Sequence, residues 1–426
     1  MLAARTTATR TAARLARSFA TVVDSAGVKV AAVDYGQPTS AVTVLVKAGS
    51  RYQTTPGVAH ALKNFAFKST AKRSALGTIR EAELYGGILS SSLSREYLAL
   101  TAEFLRGDEE YFVDLLSSFV TSAKLTRHEM AELVLPVTES ESTLAQQDPA
   151  TRALELAHTL AFRSGLGYSL FAPPHSHLTS EDVRSFASTA FSKDGIAFLG
   201  TGIDQSALSS LVQKHLGGAQ LSGSGFKASP SAYHGGETRV ELATGKQTVF
   251  IGYGTTTPSA ELAALSAHLS AEPSVKWAQS TSPAAAGLPS GTTVQSVYLP
   301  YSDAALFGIL VQGPTAEAVK QAGQTAVKAL KEATGSGLKA EELKKAVAKA
   351  KFQAASATDR RDSIFSVLGS KVLAGSEASA DSLISSLDKI DSAAFSKAAS
   401  ALVKAKPTYV AVGHVDALPY PDELGL

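Results

Sequence analysis

Residues 57–70 read Gly57-Val58-Ala59-His60-Ala61-Leu62-Lys63-Asn64-Phe65-Ala66-Phe67-Lys68-Ser69-Thr70, and Pro56 stands just before them. Proline is favoured at a helix start, where its missing N–H would be an orphan anyway, so a helix is expected from about Pro56. Residues four apart share a helix face, which puts His60 beside Asn64 with Lys63 next to them. A hydrolytic zinc helix of the H-x-x-E-H kind needs two imidazoles at that spacing and a carboxylate to activate the metal-bound water. Only the first imidazole is present. Lys63 stands where the carboxylate would be, and Asn64 where the second imidazole would be. A neutral amide is a poor zinc donor, and an ammonium group repels a dication at short range. Nor can Lys63 act as a general base near neutral pH unless its pKa falls far. The stretch has the frame of a metal helix without its ligand set.

Working outward, the chain has 426 residues, more than one ordinary core accommodates, so two domains are expected. With 44% hydrophobic and 18% charged residues it has the composition of a globular protein. A formal net charge of +2 gives no case for nucleic acid as a partner. The absence of cysteine excludes disulfides, thiolate zinc sites, iron–sulfur clusters and covalent haem attachment. The longest charge-free stretch, Trp277 to Ser302, contains three prolines and many Ser, Thr and Gln, too polar for a membrane span.

The N-terminus differs from the rest. Arg5, Arg10, Arg14 and Arg17 sit among Ala, Thr, Leu and Ser, and no acidic residue precedes Asp24. A basic amphipathic segment of this kind is expected to be a mitochondrial presequence over residues 1–19, with Arg17-Ser18-Phe19-Ala20 as a cleavage site and Ala20 the new N-terminus. Removing its four arginines takes the balance from 40 basic and 38 acidic residues to 36 and 38.

The chain also repeats itself. Thr43-Val44-Leu45-Val46-Lys47-Ala48-Gly49 matches Thr248-Val249-Phe250-Ile251-Gly252-Tyr253-Gly254 at an offset of 205. Leu125–Met130 matches Leu338–Leu343 at an offset of 213, and the run Ala197–Gly202 matches Tyr409–Gly413. The matches keep the same order, as a tandem duplication requires. Within the first repeat, alternating apolar strands (Val28–Val33, Ala41–Lys47) precede the helix. A strand pair follows near Ile88–Glu103, then helices at Asp108–Ser122 and Arg127–Gln147, and a last strand at Gly195–Gly200. In the second repeat the Ala-rich run from Thr315 to Ala357, with Lys and Glu interspersed, is expected to be an amphipathic surface helix pair. The expected fold is α+β: two homologous tandem domains, each a mostly antiparallel sheet flanked by helices. Gly217 to Gly236, with six glycines, four serines and one proline, reads as the linker, giving domains at 20–216 and 237–426.

Residues 57–70 resemble the G-x-A-H-x-x-E-H-x-x-F-K-G-T element of the inverted-motif zinc peptidases, the pitrilysin family. That family includes the mitochondrial processing peptidase and the core proteins of the cytochrome bc1 complex. Its duplicated α+β architecture agrees with the repeat found here, so the resemblance spans nearly the whole mature chain. Asp148–His158, Ser169–Pro173 with Leu178-Thr179, Tyr233–Arg239, Tyr301–Gly308 and Pro421–Leu424 are, in that order, most similar to the core-protein branch. In the family the third zinc ligand is a Glu on a following helix. Glu139 and Glu141 lie near that position, but with Lys63 and Asn64 in place they are expected to be vestigial beside His60. No metal, no cofactor and no catalytic residue is therefore expected.

The resemblance implies a non-catalytic subunit of respiratory complex III on the matrix side of the mitochondrial inner membrane. Its partners would be core protein 1, cytochrome b, cytochrome c1 and the Rieske subunit, with membrane attachment only through them. A presequence peptide held between the halves is a candidate occupant. The alternative is the non-catalytic, presequence-binding subunit of the processing peptidase. That subunit carries a long glycine-rich loop, whereas Pro283–Gly291 in the corresponding region has two glycines, Gly287 and Gly291. An active zinc peptidase with altered ligands is disfavoured by Lys63. The pair His175 and His177 flanks Ser176 without a nearby carboxylate and reads as loop.

Overall fold

The repeated strand at Thr43 lies mid-sheet in the computed structural model, and so does its counterpart at Thr248. The structure describes residues 22–426 except 35, 222, 272–279, 281, 336, 360–368, 370 and 374–379, so the expected presequence lies outside it. In chain order the first half gives β1 (Val23–Ser25), β2 (Val28–Val33), β3 (Thr39–Val46), α1 (Val58–Asn64), α2 (Ala75–Leu84), β4 (Ile88–Leu93) and β5 (Leu98–Leu105). It continues with α3 (Glu109–Ser122), α4 (Arg127–Glu129), a π-helical turn (Met130–Val134), α5 (Leu135–Gln147), α6 (Pro149–Phe162), α7 (Ser180–Ala190), β6 (Ile196–Thr201) and α8 (Gln205–Leu216). The second half gives β7 (Gly236–Glu241), β8 (Gln247–Thr255), α9 (Ala260–Leu269), β9 (Thr293–Pro300), β10 (Ala305–Gly313) and α10 (Ala316–Gly335). It ends with α11 (Ala340–Asp359), α12 (Ala380–Asp388), α13 (Ser392–Leu402) and β11 (Thr408–Gly413).

The first sheet has strand order β1-β2-β6-β3-β5-β4 and the second β7-β11-β8-β10-β9. With β1 set aside, the two orders are the same. Each sheet has one parallel pair, β2 with β6 and β7 with β11; the antiparallel pairs number four in the first sheet, β1 with β2 included, and three in the second. This is the duplicated α+β fold that the repeat predicts. Register aligns the unequal last runs of the two repeats. Thr43 pairs with Leu199, and Thr248 with Val412. Leu199 therefore corresponds to Val412 and Gly200 to Gly413, an offset of 213. A slip of one would exchange the two faces of the strand.

Both faces of each sheet are buried. On one face of the first sheet, Val30, Val44, Leu100 and Phe198 form a core with Phe112, Phe119, Val183 and Leu208 from α3, α7 and α8. On its other face Ala31, Ala41, Leu45, Ala197 and Leu199 are also buried. In the second sheet Val249, Ile251, Ile309 and Tyr409 pack with residues of α9, α10 and α13. The opposite face, Phe250, Leu306, Leu310, Val410 and Val412, packs on Ala153, Ala157, Ala161 and Phe162 of α6. Such strands read as continuous apolar runs because neither face meets water.

The covers of these second faces do not follow chain order. Contacts divide the chain into one unit comprising residues up to Glu139, Leu170–Ala228 and Ala357–Ser382, and another comprising Ser140–Ser169, Ser229–Ser356 and Leu383–Leu426. A single cut within 217–236 gives different bodies. Helix α6 belongs to the first repeat by sequence, yet its small-residue face lies on the second sheet. Shifted by 213 residues, α6 maps onto 362–375, inside the stretch that joins the first unit. There Lys29 Nζ donates to the Leu373 carbonyl at 2.5 Å, Val372 is fully buried, and Gly369 lies against Leu45 and Tyr97. Segment 217–236 is itself divided. Phe226 stacks on Tyr52 at 5.3 Å in the first unit, while the Tyr233 hydroxyl donates to the Lys406 carbonyl at 2.5 Å in the second.

A chain ending at residue 216 keeps α6 but not its sheet, and the first sheet without 357–382. Re-exposing even four Leu-sized side chains costs about 6–12 kcal/mol, comparable to the whole net stability of a domain. A fragment of residues 20–216 is thus expected to show no cooperative thermal transition and to bind ANS. Adding residues 357–382 through a flexible linker, with α6 truncated at residue 148, restores a transition measurable by near-UV circular dichroism.

Candidate functional site

Helix α1 is short, and Gly57 begins it. Gly57 has φ +87°, and a Cβ there would lie 2.5 Å from the Ala172 Cβ, so glycine is required by both backbone and contact. The Gln53 carboxamide accepts the Gly57 N–H at 3.1 Å. The helix starts at Val58, two residues beyond Pro56, and runs to Asn64 with Val58, Ala59, His60, Ala61 and Leu62 buried. Ala59, Ala61 and Leu62 join the first core, which fixes where the polar positions His60, Lys63 and Asn64 point.

His60 is 3% exposed. Its Nδ1 accepts the backbone N–H of Ala172 at 3.1 Å, and Phe171 meets the ring edge-on at 5.5 Å. This is the reverse of what a metal ligand needs. A zinc-bound imidazole uses one nitrogen for the metal and donates the N–H of the other to an acceptor. In a neutral ring only one nitrogen carries the proton. With Nδ1 accepting, the proton is on Nε2, so neither nitrogen offers a lone pair to a metal. Phe171 and Ala172 belong to the Ser169–Pro173 stretch noted in the sequence, which here closes over the helix.

Asn64, half-buried, donates from Nδ2 to the Thr138 hydroxyl at 2.9 Å, and that hydroxyl donates to the Val134 carbonyl at 2.8 Å. The side chain standing at the second imidazole position thus ties α1 to α5. Lys63 occupies the last turn of α1, where a cation complements the helix dipole. Its carbonyl accepts from the Ser91 hydroxyl at 3.4 Å. Glu139 and Glu141 both lie on α5. Glu139 is exposed and counts with the first unit; Glu141 is half-buried and counts with the second. Among the described residues no group of three or more His, Asp or Glu side chains is arranged to hold a metal ion. His175 and His177 both lie exposed in a loop.

One buried carboxylate escaped the sequence reading. Glu129 is 2% exposed, and it accepts from the Ser69 N–H at 3.0 Å and the Thr126 hydroxyl at 2.7 Å. It pins the chain leaving α1 to the start of α4. Burial opposes the charge, but these hydrogen bonds outweigh it and hold the carboxyl below the usual glutamate range. The repeat gave only a helix start here, because Thr126–Glu129 looks like an ordinary cap in sequence.

Residues 29–174 match the family model described as insulinase, peptidase family M16, and residues 177–350 match the peptidase M16 inactive domain. A Cryptococcus neoformans protein named cytochrome b-c1 complex subunit 2, mitochondrial, is 46% identical, covering 99% of this chain and 98% of its own. The chain belongs to peptidase family M16, in the branch of the cytochrome b-c1 complex subunit 2 proteins. The Yarrowia lipolytica protein of that name is 39% identical, covering 96% and 97% of the two chains, and the human one 28%, covering 93% and 90%. No described helix is long and apolar enough to cross a membrane.

Replacing Asn64 with Ala removes one interhelical hydrogen bond and leaves the Thr138 hydroxyl with a lost donor. A loss of about 1 kcal/mol is expected in urea denaturation. Glu129→Gln is expected to cost about 1–2 kcal/mol at pH 7. Because the folded pKa is lowered, the carboxylate's contribution is complete above the ordinary value near 4.5 and disappears as pH falls through the folded pKa. The denaturation curves of the wild type and the Glu129→Gln variant should therefore converge once the pH falls below the folded pKa.

Proposed function

We propose that the chain is a non-catalytic core subunit of respiratory complex III, ubiquinol–cytochrome c reductase. It supports assembly and stability of the redox subunits while electrons pass from ubiquinol to cytochrome c. The observation that carries this reading is the name shared by relatives matching nearly end to end at 46% and 39% identity. The chemistry of α1 supports its non-catalytic part. His60 turns its Nδ1 lone pair to a backbone N–H, Asn64 is committed to Thr138, and Lys63 brings a cation where a metal would sit. The motif is a degenerate zinc site whose polar side chains now hold the fold, with Glu139 and Glu141 vestigial beside it.

In this reading the partners are core protein 1, cytochrome b, cytochrome c1 and the Rieske subunit. The chain sits on the matrix side of the mitochondrial inner membrane, peripheral to the bilayer through those partners. Residues 1–19 are the presequence, and 20–216 and 237–426, joined by 217–236, are the units of duplication. The processing-peptidase alternative is not favoured. Pro283–Gly291 lacks its glycine run, and Ala284 within it is fully buried in the second core.

The test is depletion of this chain from mitochondria, followed by native electrophoresis and haem b quantification. Assembled complex III and haem b are expected to fall several-fold, and a His60→Ala chain is expected to restore both. Unchanged complex without the chain would refute the scaffold role. Purified chain with about one tightly held zinc ion and chelator-sensitive peptide cleavage would refute the degenerate site.

A further inference from the structure

A cleft of about 530 Å³ opens in the first unit, away from α1, between α2, α3 and α8. It is lined by Tyr85, Gly107, Asp108, Glu110, Tyr111, Asp114 and His215. The volume is that of a small-ligand site. Its charged walls are all carboxylates. The nearby cations face them from outside the lining: Lys72 and Arg73 on Asp114, Lys214 on Glu110. The partial positive charge at the start of α3 is opposed by Asp108, Glu109, Glu110 and Asp114.

Two buried polar atoms in the cleft lack a geometric hydrogen-bond partner, and a carboxylate beside them makes no capping bond. Asp108 takes the N-cap position of α3, yet its side chain caps nothing. The Tyr111 hydroxyl and His215 Nε2 are both buried without a partner. Burial first, and then the neighbouring Glu81 carboxylate, raise the Tyr111 pKa. The state of His215 follows from its other nitrogen. Nδ1 lies 3.1 Å from Asp114 Oδ1, and a carboxylate only accepts, so Nδ1 carries the proton. In the neutral ring Nε2 is then a buried acceptor, and what it lacks is a donor. The aromatic wall suits a cation as well. Tyr111 stacks on Tyr85 at 4.4 Å and has the Arg73 guanidinium 5.2 Å from its ring centre, and Tyr85 remains 40% exposed.

We propose that this cleft binds an organic cation, an alkylammonium or guanidinium group. The group donates to Asp108 and His215 Nε2 and packs its methylenes on Tyr85. A free amine and a basic side chain of a peptide share this chemistry. The proposal is independent of the complex III reading.

The test is titration of the full chain by calorimetry and chemical-shift perturbation, using agmatine, butylamine, N-acetyl-arginine amide and neutral 1-butanol. Saturable binding of the cations, centred on the Tyr85 and His215 resonances, is expected, with none for butanol. Tighter binding of the arginine amide than of agmatine identifies a peptide side chain as the source, and the reverse identifies a free amine. Asp108→Asn is expected to weaken binding about tenfold. Tyr111→Phe removes a hydroxyl outside the proposed contacts, so affinity for the cations should be unchanged. No saturation at tens of millimolar, or equal affinity in wild type and Asp108→Asn, overturns the proposal.

Discussion

Everything in this fold depends on each sheet having two apolar faces. A sheet with one wet face can be completed by the helices that follow it in the chain. Here Leu45 and Leu199 are buried on one side of β3 and β6, and Val44 and Phe198 on the other. Each sheet therefore needs a second cover. The second sheet receives it from α6, whose Ala153, Ala157 and Ala161 allow close approach to Phe250 and Val410. The first receives it from the stretch around Gly369, where a glycine again admits the backbone close to Leu45. By the repeat offset of 213, Gly369 and Val372 stand where Leu156 and Thr159 stand in α6, so each sheet is met by residues from the same place in the duplicated sequence.

Within that frame the polar side chains of α1 are held by the fold itself. A helix with two imidazoles and a zinc ion is held by coordination; without the ion the same positions are buried polar groups needing partners. His60 and Asn64 have them in Ala172 N–H and Thr138. With Nδ1 accepting a backbone N–H and the amide fixed to α5, a metal at these positions would require replacing Lys63 and Asn64 and turning the His60 ring against Ala172. The carboxylate of Glu129 then fixes the chain beyond α1 through Ser69, a contact that acid removes.

The sequence made the strands and the duplication legible, because period-two alternation marks Val28–Val33 and a fixed offset marks Thr43 and Thr248. What it hid is non-local. Nothing in Pro149–Phe162 says which sheet its alanine face will meet, since the face fits either. The register of β11 against β8 was ambiguous until the pairing of Thr248 with Val412 settled it. Thr138 could not be named as the partner of Asn64, because a threonine mid-helix more often bonds its own i−4 carbonyl, which it also does here. The acidic cleft was invisible for the same reason: its walls come from residues 85, 107–114 and 215, gathered only by packing.

Of the stretches that make this chain resemble its branch of the family, Ser169–Pro173 lies against His60, and the other four lie in the second unit. His158 donates from Nδ1 to the Leu154 carbonyl, which leaves Nε2 to accept from the Tyr301 hydroxyl at 2.7 Å, joining Asp148–His158 to Tyr301–Gly308. Arg239, from Tyr233–Arg239, donates to the Pro419 and Leu418 carbonyls and stacks on Tyr420 at 3.9 Å. Glu423, in Pro421–Leu424, accepts the Tyr420 N–H and pairs with Lys320 at 2.6 Å. None of these contacts touches α1. In an enzyme the most specific stretches would be expected to converge on the reacting groups. Here four of them close the seams around the second sheet, α6 and the C-terminus, where they fix shape. That is the distribution a scaffold requires, because its function is the persistence of its surface.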